Sequence, residues 1–453
     1  MKSNSLRNIS QVKSKRGGTM KKTITRRNFI KVGGAVVSSA SLGTVLWPLN
    51  SLAFGSKPKP RVVVIGGGFG GATCAKYVRK FDANIDVTLI ERDNKFVTCP
   101  FSNLVLGGIR DVNSITHGYD ALKNKHGINV VHDEVTGIDP EKQKIMTKSG
   151  KSFDYDRAVV SPGVDFLWDK VEGFTEADIE VIPHAWKAGK QTTLLKSQIE
   201  AMEDGGTVII VAPPNPFRCP PGPYERASMI AHYLKANKPK SKIIILDAKE
   251  KFSKMPLFTD GWEKLYPGMI EWVAGTKGGI VTQVDAKNMT VHNEAGDEIK
   301  GAVINYIPHQ TSGAIARNAG LADSTGWCPV NQKTFESTLH KNIHVVGDSS
   351  ISTPLPKSGY AASSEGKMCA AAVVASINGF EMPDPSYSNT CYSLVGPDYG
   401  ISVAAVYRLS DGKIVKVKGA GGVSPKDADE SFRRAEALYA SGWYSSITQD
   451  LFG

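Results

Sequence analysis

Among its six cysteines the 453-residue chain has no Cys-x-x-Cys pair, and it has no Cys-x-x-Cys-His. The first absence removes the usual zinc-ribbon and thioredoxin-like spacings, and the second removes attachment of a c-type haem to this chain. No segment repeats at a solenoid period, and no tract is of low complexity. Acidic residues are missing from residues 1–53, which hold ten Lys or Arg. The remainder carries 45 basic against 44 acidic side chains, so the formal charge of +11 belongs to the N-terminal segment. A near-neutral remainder has no electrostatic footprint for nucleic acid. Beyond residue 53 no apolar run is long enough to cross a bilayer.

The N-terminal segment has its own pattern. Arg26 and Arg27 stand in TRRNFIK, a modest apolar stretch VGGAVVSSASLGTVLWPL follows, and Ser51-Leu52-Ala53 offers small residues two apart. This reads as a twin-arginine export signal over residues 1–53, directing a folded protein to the periplasm. Gly, Ser and Pro interrupt the apolar stretch, which argues against a membrane anchor. Met20 is an alternative start.

The mature part opens as a β-α-β unit. RVVVI (61–65) reads as a buried strand, GGGFGGATCAKYVRKF as a turn entering a helix, and IDVTLIE (85–91) as the next strand. Gly66-Gly67-Gly68-Phe69-Gly70-Gly71 fits G-x-G-x-x-G. Gly66 permits the tight turn, Gly68 lets backbone approach a pyrophosphate, and Gly71 lets helix and strand pack closely. The helix N-terminus offers free N–H groups to the diphosphate. Glu91, about 20 residues on, can accept ribose hydroxyls. A late strand ending in Val345-Val346-Gly347-Asp348 selects FAD, because Gly-Asp there is the second half of the site in flavoproteins with two dinucleotide domains. Asp348 would bond the ribityl chain, and Ser161-Pro162-Gly163 supplies the turn between the halves. The helix expected at 360–378 would aim its positive end at the flavin.

A second α/β segment begins near residue 172, with strands at 207–212, 242–247 and 302–307 and helices near 189–203 and 223–236. After its first strand, residues 213–223 read PPNPFRCPPGP rather than a glycine fingerprint. Proline cannot donate N–H bonds to phosphate, so this segment keeps the fold and lacks a nicotinamide site. In that place stands Cys219, with Glu225 at the start of the next helix. The expected architecture is α/β: two Rossmann-like dinucleotide-binding domains of the disulfide-reductase type plus a small α+β C-terminal domain. Its parts are 58–171 with 308–382 (FAD-binding, discontinuous), 172–307 (nucleotide-binding-like) and 383–453 (flavin-capping, at a partner interface). In the last part strands are expected near 391–396, 401–408 and 413–417, and a helix near 429–441.

The stretches VVIGGGFGGATCAKY, VTCPFSNLVLGG, PHAWKAGKQT, FRCPPGPYERAS, KTFESTLHKNIHVVGD, PLPKSGYAASSEGK, NTCYS and YGISVAAVYR span every expected domain. On them the chain resembles the flavoprotein subunit of flavocytochrome c sulfide dehydrogenase. The resemblance implies FAD joined through a thioether at Cys99, which the residues alone would read as a buried free thiol. It implies a redox disulfide between Cys219 and Cys391, with Glu225 handling protons beside it. It places Lys357 with the cofactor-binding residues. It further implies sulfide as substrate, oxidised to sulfur or polysulfide, and a c-type cytochrome partner carrying the haem. A bridge closing about 170 residues would also serve structurally, by roughly 5 kcal/mol in the chain-entropy model. Cys74 and Cys369, among apolar helix residues, read as inert core thiols, and Cys328 has no assigned role. Trp443 and Tyr444 are candidates to pack near the flavin or the partner. The alternatives are a sulfide:quinone oxidoreductase, which would need an apolar membrane-facing C-terminal surface, and a non-catalytic flavoprotein partner in thiosulfate oxidation.

Overall fold

RVVVI, TVIIVA and KIIILD lack polar alternation, which is the pattern of strands covered on both faces. In a computed structural model, which describes residues 58–453, they form the interiors of two parallel sheets. The expected export signal lies outside the described residues.

The first sheet has the order Ile343–Val345, Arg157–Val160, Arg61–Ile65, Asp86–Glu91, Asn129–His132, all parallel. The late strand therefore returns to the sheet that the chain began. Helices Phe69–Phe81 and Gly359–Ile377 pack directly on each other. Their contact is backbone-close: a Cβ on Gly366 would stand 2.5 Å from the Gly70 carbonyl oxygen.

The second sheet has the order Ile270–Val273, Lys242–Asp247, Thr207–Ala212, Val303–Tyr306, also parallel. Its core gathers Val208, Ile210, Ile243, Ile245, Leu257, Phe258 and Trp262 around helix Gly222–Asn237. Each sheet is accompanied by a three-stranded antiparallel meander, over 135–154 and 281–300.

The C-terminal part pairs Ser386–Gly396, Tyr399–Ser410 and Lys413–Val423 antiparallel, followed by helix Glu430–Phe452. The α+β expectation holds, with longer elements. The helix runs eleven residues beyond the expected end at 441. Gly442 costs roughly 1 kcal/mol within a helix. Burial of Tyr444, Ile447, Leu451 and Phe452 beyond it outweighs that cost. The same helix exposes Phe432, Leu438 and Tyr439, so this end is more apolar than its charged sequence suggests. No helix among the described residues is long and apolar enough to cross a membrane.

Candidate active site

The cradle of the first sheet is shaped by what cannot fit. A Cβ on Gly66 would lie 2.3 Å from the Ser161 carbonyl oxygen, and one on Gly71 would lie 1.9 Å from that of Gly66. Gly68 begins helix Phe69–Phe81 with no side chain capping its N-terminus, which leaves N–H groups for an anion. Glu91 receives the Gly67 N–H at 2.7 Å and the Asp93 N–H at 3.0 Å, one on each oxygen, which leaves a lone pair on each. Gly163, with φ of 69°, accepts the Gly313 N–H at 3.0 Å.

At the late strand, Gly347 turns with φ of 78° and donates its N–H to Glu365 at 2.7 Å. Asp348 is half-buried, with a buried Oδ1 lacking any partner and Oδ2 4.0 Å from Arg218. Burial raises its carboxyl above the usual range, against the pull of Arg218 and Lys357. An unpartnered buried carboxylate oxygen needs a donor, and a ribityl hydroxyl is such a donor. The glycine turn, the uncapped helix and this orphaned oxygen fit FAD. Lys357 spends two N–H groups on the Asp348 and Ser350 carbonyls, at 2.6 and 3.0 Å, and lies over the Trp327 ring. It braces the Gly-Asp turn and keeps one N–H in reserve.

The four thiol-chemistry candidates come from distant parts of the chain and line one cavity: Cys99, Cys219, Glu225 and Cys391. Trp186, Arg218, Arg226, Ser358, Tyr360 and Trp443 complete much of its wall. Cys219 is held in left-handed backbone, φ 58°, by its N–H to the Lys357 carbonyl at 2.8 Å. Such a conformation in a non-glycine residue is costly and concentrates at functional positions. Cys99 points its sulfur at the Trp186 carbonyl, 3.2 Å away. Cys391 stands on strand Ser386–Gly396, at the edge of the C-terminal sheet. All six cysteines are free thiols in this structure, so the bridge implied by the resemblance is not formed in it. Cys219 and Cys391 both line the cavity.

Electrostatics in the cavity are governed by burial. Desolvation pushes the Cys219 thiol well up, with repulsion from Cys391, Glu225 and Cys99 added and Arg218 opposing. It also raises Cys391, with Lys254 opposing. Glu225 is raised by burial, while the Leu394 N–H at 2.9 Å and Asn103 at 2.9 Å hold its two oxygens and pull it back. It thus ties helix Gly222–Asn237 to the C-terminal sheet.

Sequence reading missed the cations. Arg226 is buried, is lowered to about 10 by desolvation, and bonds Asn103, Asn305 and the carbonyls of His184 and Ala185. Arg218 donates to the Trp186 carbonyl. Despite desolvation, the charges of Cys99, Asp348 and Cys219 hold it above its usual value. The available signal was two arginines within one turn of Cys219 and Glu225, in an otherwise apolar, proline-rich stretch. Trp443 does line the cavity, and Tyr444 stacks on Phe101 with centroids 4.5 Å apart. Cys74 and Cys369 are fully buried, as is Cys328.

The second sheet's crevice is filled. A Cβ on Gly222 would meet the Trp186 ring at 2.5 Å and the Cys219 sulfur at 3.2 Å. Asp247, at the strand end where a ribose carboxylate would stand, is buried against Tyr224 at 2.6 Å, Lys249 at 2.6 Å and Trp272 at 2.9 Å. Phe252 stacks on Tyr224.

Comparison with known proteins agrees with this layout. Residues 60–197 match the pyridine nucleotide-disulphide oxidoreductase family. Residues 192–308 match the family described as sulfide dehydrogenase (flavocytochrome c) flavoprotein chain, central. Residues 383–452 match flavocytochrome c sulphide dehydrogenase, flavin-binding. The sulfide dehydrogenase (flavocytochrome c) flavoprotein chain of Chlorobaculum thiosulfatiphilum is 69% identical over 45 residues, 10% of this chain and 94% of that sequence. The mitochondrial sulfide:quinone oxidoreductase of Dictyostelium discoideum is 25% identical over 349 residues, 74% of each chain. Among solved structures, the sulfide:quinone oxidoreductase of Aquifex aeolicus has a TM-score of 0.65 at 20% identity, covering 86% of this chain and 91% of that one. With its central and flavin-binding regions both matched, and a close relative among the sulfide dehydrogenase flavoprotein chains, this chain belongs to the flavocytochrome c sulfide dehydrogenase flavoprotein family.

Proposed function

We propose that the protein is a periplasmic sulfide dehydrogenase flavoprotein, oxidising sulfide to sulfur or polysulfide and delivering electrons to a c-type cytochrome subunit. The observation that carries this is the meeting of Cys99, Cys219, Glu225 and Cys391 in one cavity, beside the Asp348 turn and in place of a nicotinamide site. In this reading residues 58–171 with 308–382 hold FAD, 172–307 supply Cys219, and 383–453 bring Cys391, cap the flavin and face the cytochrome.

Gly66, Gly68, Gly71, Glu91, Gly163, Gly347 and Asp348 would hold FAD, with Lys357 bracing the last turn and Cys99 as the thioether anchor. When bound, FAD supplies a two-electron acceptor that can release electrons singly. The chain's own chemistry begins with Cys219 and Cys391 joined. Hydrosulfide breaks that bond, forming a persulfide on one cysteine and leaving a thiolate on the other. A second hydrosulfide takes the outer sulfur as HSS⁻ and restores the thiol. Return to the disulfide releases one proton and two electrons. Glu225, half-buried in the same cavity wall and raised in pKa by desolvation, is placed to accept that proton. Arg218 and Arg226 offset the negative charge that arrives with each hydrosulfide.

Anaerobic stopped-flow mixing with sulfide tests the reading: the flavin should bleach, and added cytochrome c should then be reduced. Absence of bleaching refutes it. Turnover with a soluble quinone and none with cytochrome would favour the quinone-linked alternative. Flavin fluorescence retained on the polypeptide in an acid-treated denaturing gel, and lost in Cys99→Ala, is expected for the covalent link. Export is expected to fail when Arg26 and Arg27 are both replaced by Lys, leaving precursor in the cytoplasm.

A further inference from the structure

Lys254 precedes helix Met255–Leu265 in left-handed backbone, φ 62°, and is 7% exposed. Its ammonium donates to the Cys391 carbonyl at 3.2 Å and to the Ser393 hydroxyl at 2.9 Å. Both acceptors are neutral. No carboxylate among the described residues forms an ion pair with it within 4.0 Å, whereas the half-buried Lys249 nearby in sequence pairs with Asp247 at 2.6 Å. Glu225 is the carboxylate Lys254 acts on, at longer range, and a buried cation without a contacting counter-charge is unfavourable. The fold tolerates this one against the Cys391 backbone carbonyl, within coulombic reach of the Cys391 thiol, in a residue held at an unfavourable φ.

The groups facing Cys391 are few. Helix Gly222–Asn237 presents Glu225, whose two oxygens are already held by the Leu394 N–H and Asn103. The loop before that helix presents Cys219 and Arg218, and the same helix presents Arg226. The latter two cations bond the carbonyls of residues 184–186, on the Cys219 and Cys99 side of the cavity. Lys254 alone among the cations bonds the strand that carries Cys391.

We propose that Lys254 is a positioning residue that makes Cys391 the thiolate of the pair. Resting on the thiol reading above, it gives the opening step a direction. Hydrosulfide sulfur bonds to the Cys219 sulfur, the Cys219–Cys391 bond breaks, and its electron pair stays on Cys391. The products are a Cys219 persulfide and a Cys391 thiolate, and the single negative charge that entered as HS⁻ ends beside the ammonium.

The test is pH-dependent alkylation of the reduced holoprotein with iodoacetamide, followed cysteine by cysteine by peptide mass spectrometry. In the native sequence Cys391 should be labelled at lower pH than Cys219. In Lys254→Met, Cys391 labelling at pH 7.5 should fall by about 10-fold, one unit of displacement. Lys254→Arg, which keeps the charge, should recover most of it, and Cys219 labelling should change little in either variant. Cys219 reacting at lower pH than Cys391 in the native sequence overturns the proposal, and this needs no variant to fold. An unchanged Cys391 profile in a folded Lys254→Met protein overturns it as well. The labelling uses no sulfide, so a flavin that sulfide fails to reduce refutes the functional reading and leaves this result to stand or fall separately.

Discussion

The two parallel sheets have the same frame and opposite mouths. At the first, an all-glycine turn, an uncapped helix end and an orphaned Asp348 oxygen leave room and partners for a dinucleotide. At the second, proline replaces the glycine turn, Trp186 and Cys219 occupy the helix start, and Asp247 is consumed by Tyr224, Lys249 and Trp272. The strand order conveys only that a ligand could sit at the carboxyl ends. Which ligand does so is decided by a handful of side chains at the turn. The second mouth has exchanged a phosphate cradle for a cysteine in a strained backbone.

The strongest test of that exchange is to remove its chemistry. Cys219→Ser and Cys391→Ser should each lower sulfide-driven flavin reduction by on the order of 10³-fold or more, with FAD content unchanged. Retained turnover would make the second mouth merely filled. Next, the two helix-entry glycines should respond differently. Gly71→Ala sets a Cβ against rigid backbone and should cost roughly 3 kcal/mol and most of the bound flavin. Gly222→Ala meets a ring and a thiol that can shift, and should cost about 1 kcal/mol with flavin retained. Thermal melts and flavin absorbance measure both, and equal losses would contradict the contrast.

The first mouth also has a titratable brace. Burial pushes Glu365 up to about 7, against the pull of Ser352 and the Gly347 N–H. Unfolded, the same carboxyl ionises near pH ~4.3. Between these values the folded state binds the extra proton, so stability falls as pH rises and levels off above 7. The group's share of that fall is about 4 kcal/mol. Glu365→Gln should flatten the slope in denaturant titrations between pH 4.5 and 7; an unaltered slope would assign it elsewhere. The smallest expected effect is none: NADH should not bleach the flavin in stopped flow, and rapid bleaching would mean that the second mouth still admits a nicotinamide.

The strands covered on both faces, the G-x-G-x-x-G turn with Glu91, and the Gly347-Asp348 pair were legible because each is a local pattern whose backbone demands show in residue type. The loss of the second cradle was legible for the same reason, since proline lacks the N–H that phosphate needs. The full length of the last helix was not, because Ser441-Gly442 reads as a stop and only the partners buried beyond it pay for continuing. Arg218, Arg226 and Lys254 were equally hidden, since charged residues in sequence are by default solvated.

By itself the sequence determined where strands and turns form, and which mouth had lost its phosphate donors. Only the tertiary structure decided that Cys99, Cys219 and Cys391 share one cavity, that Asp247 is spent on the interior, and that a lysine with no contacting carboxylate bonds the backbone of one particular cysteine. These are properties of long-range packing. Burial changes what a charge costs and which thiol can bear one, and burial is set by neighbours that the chain brings from more than a hundred residues away.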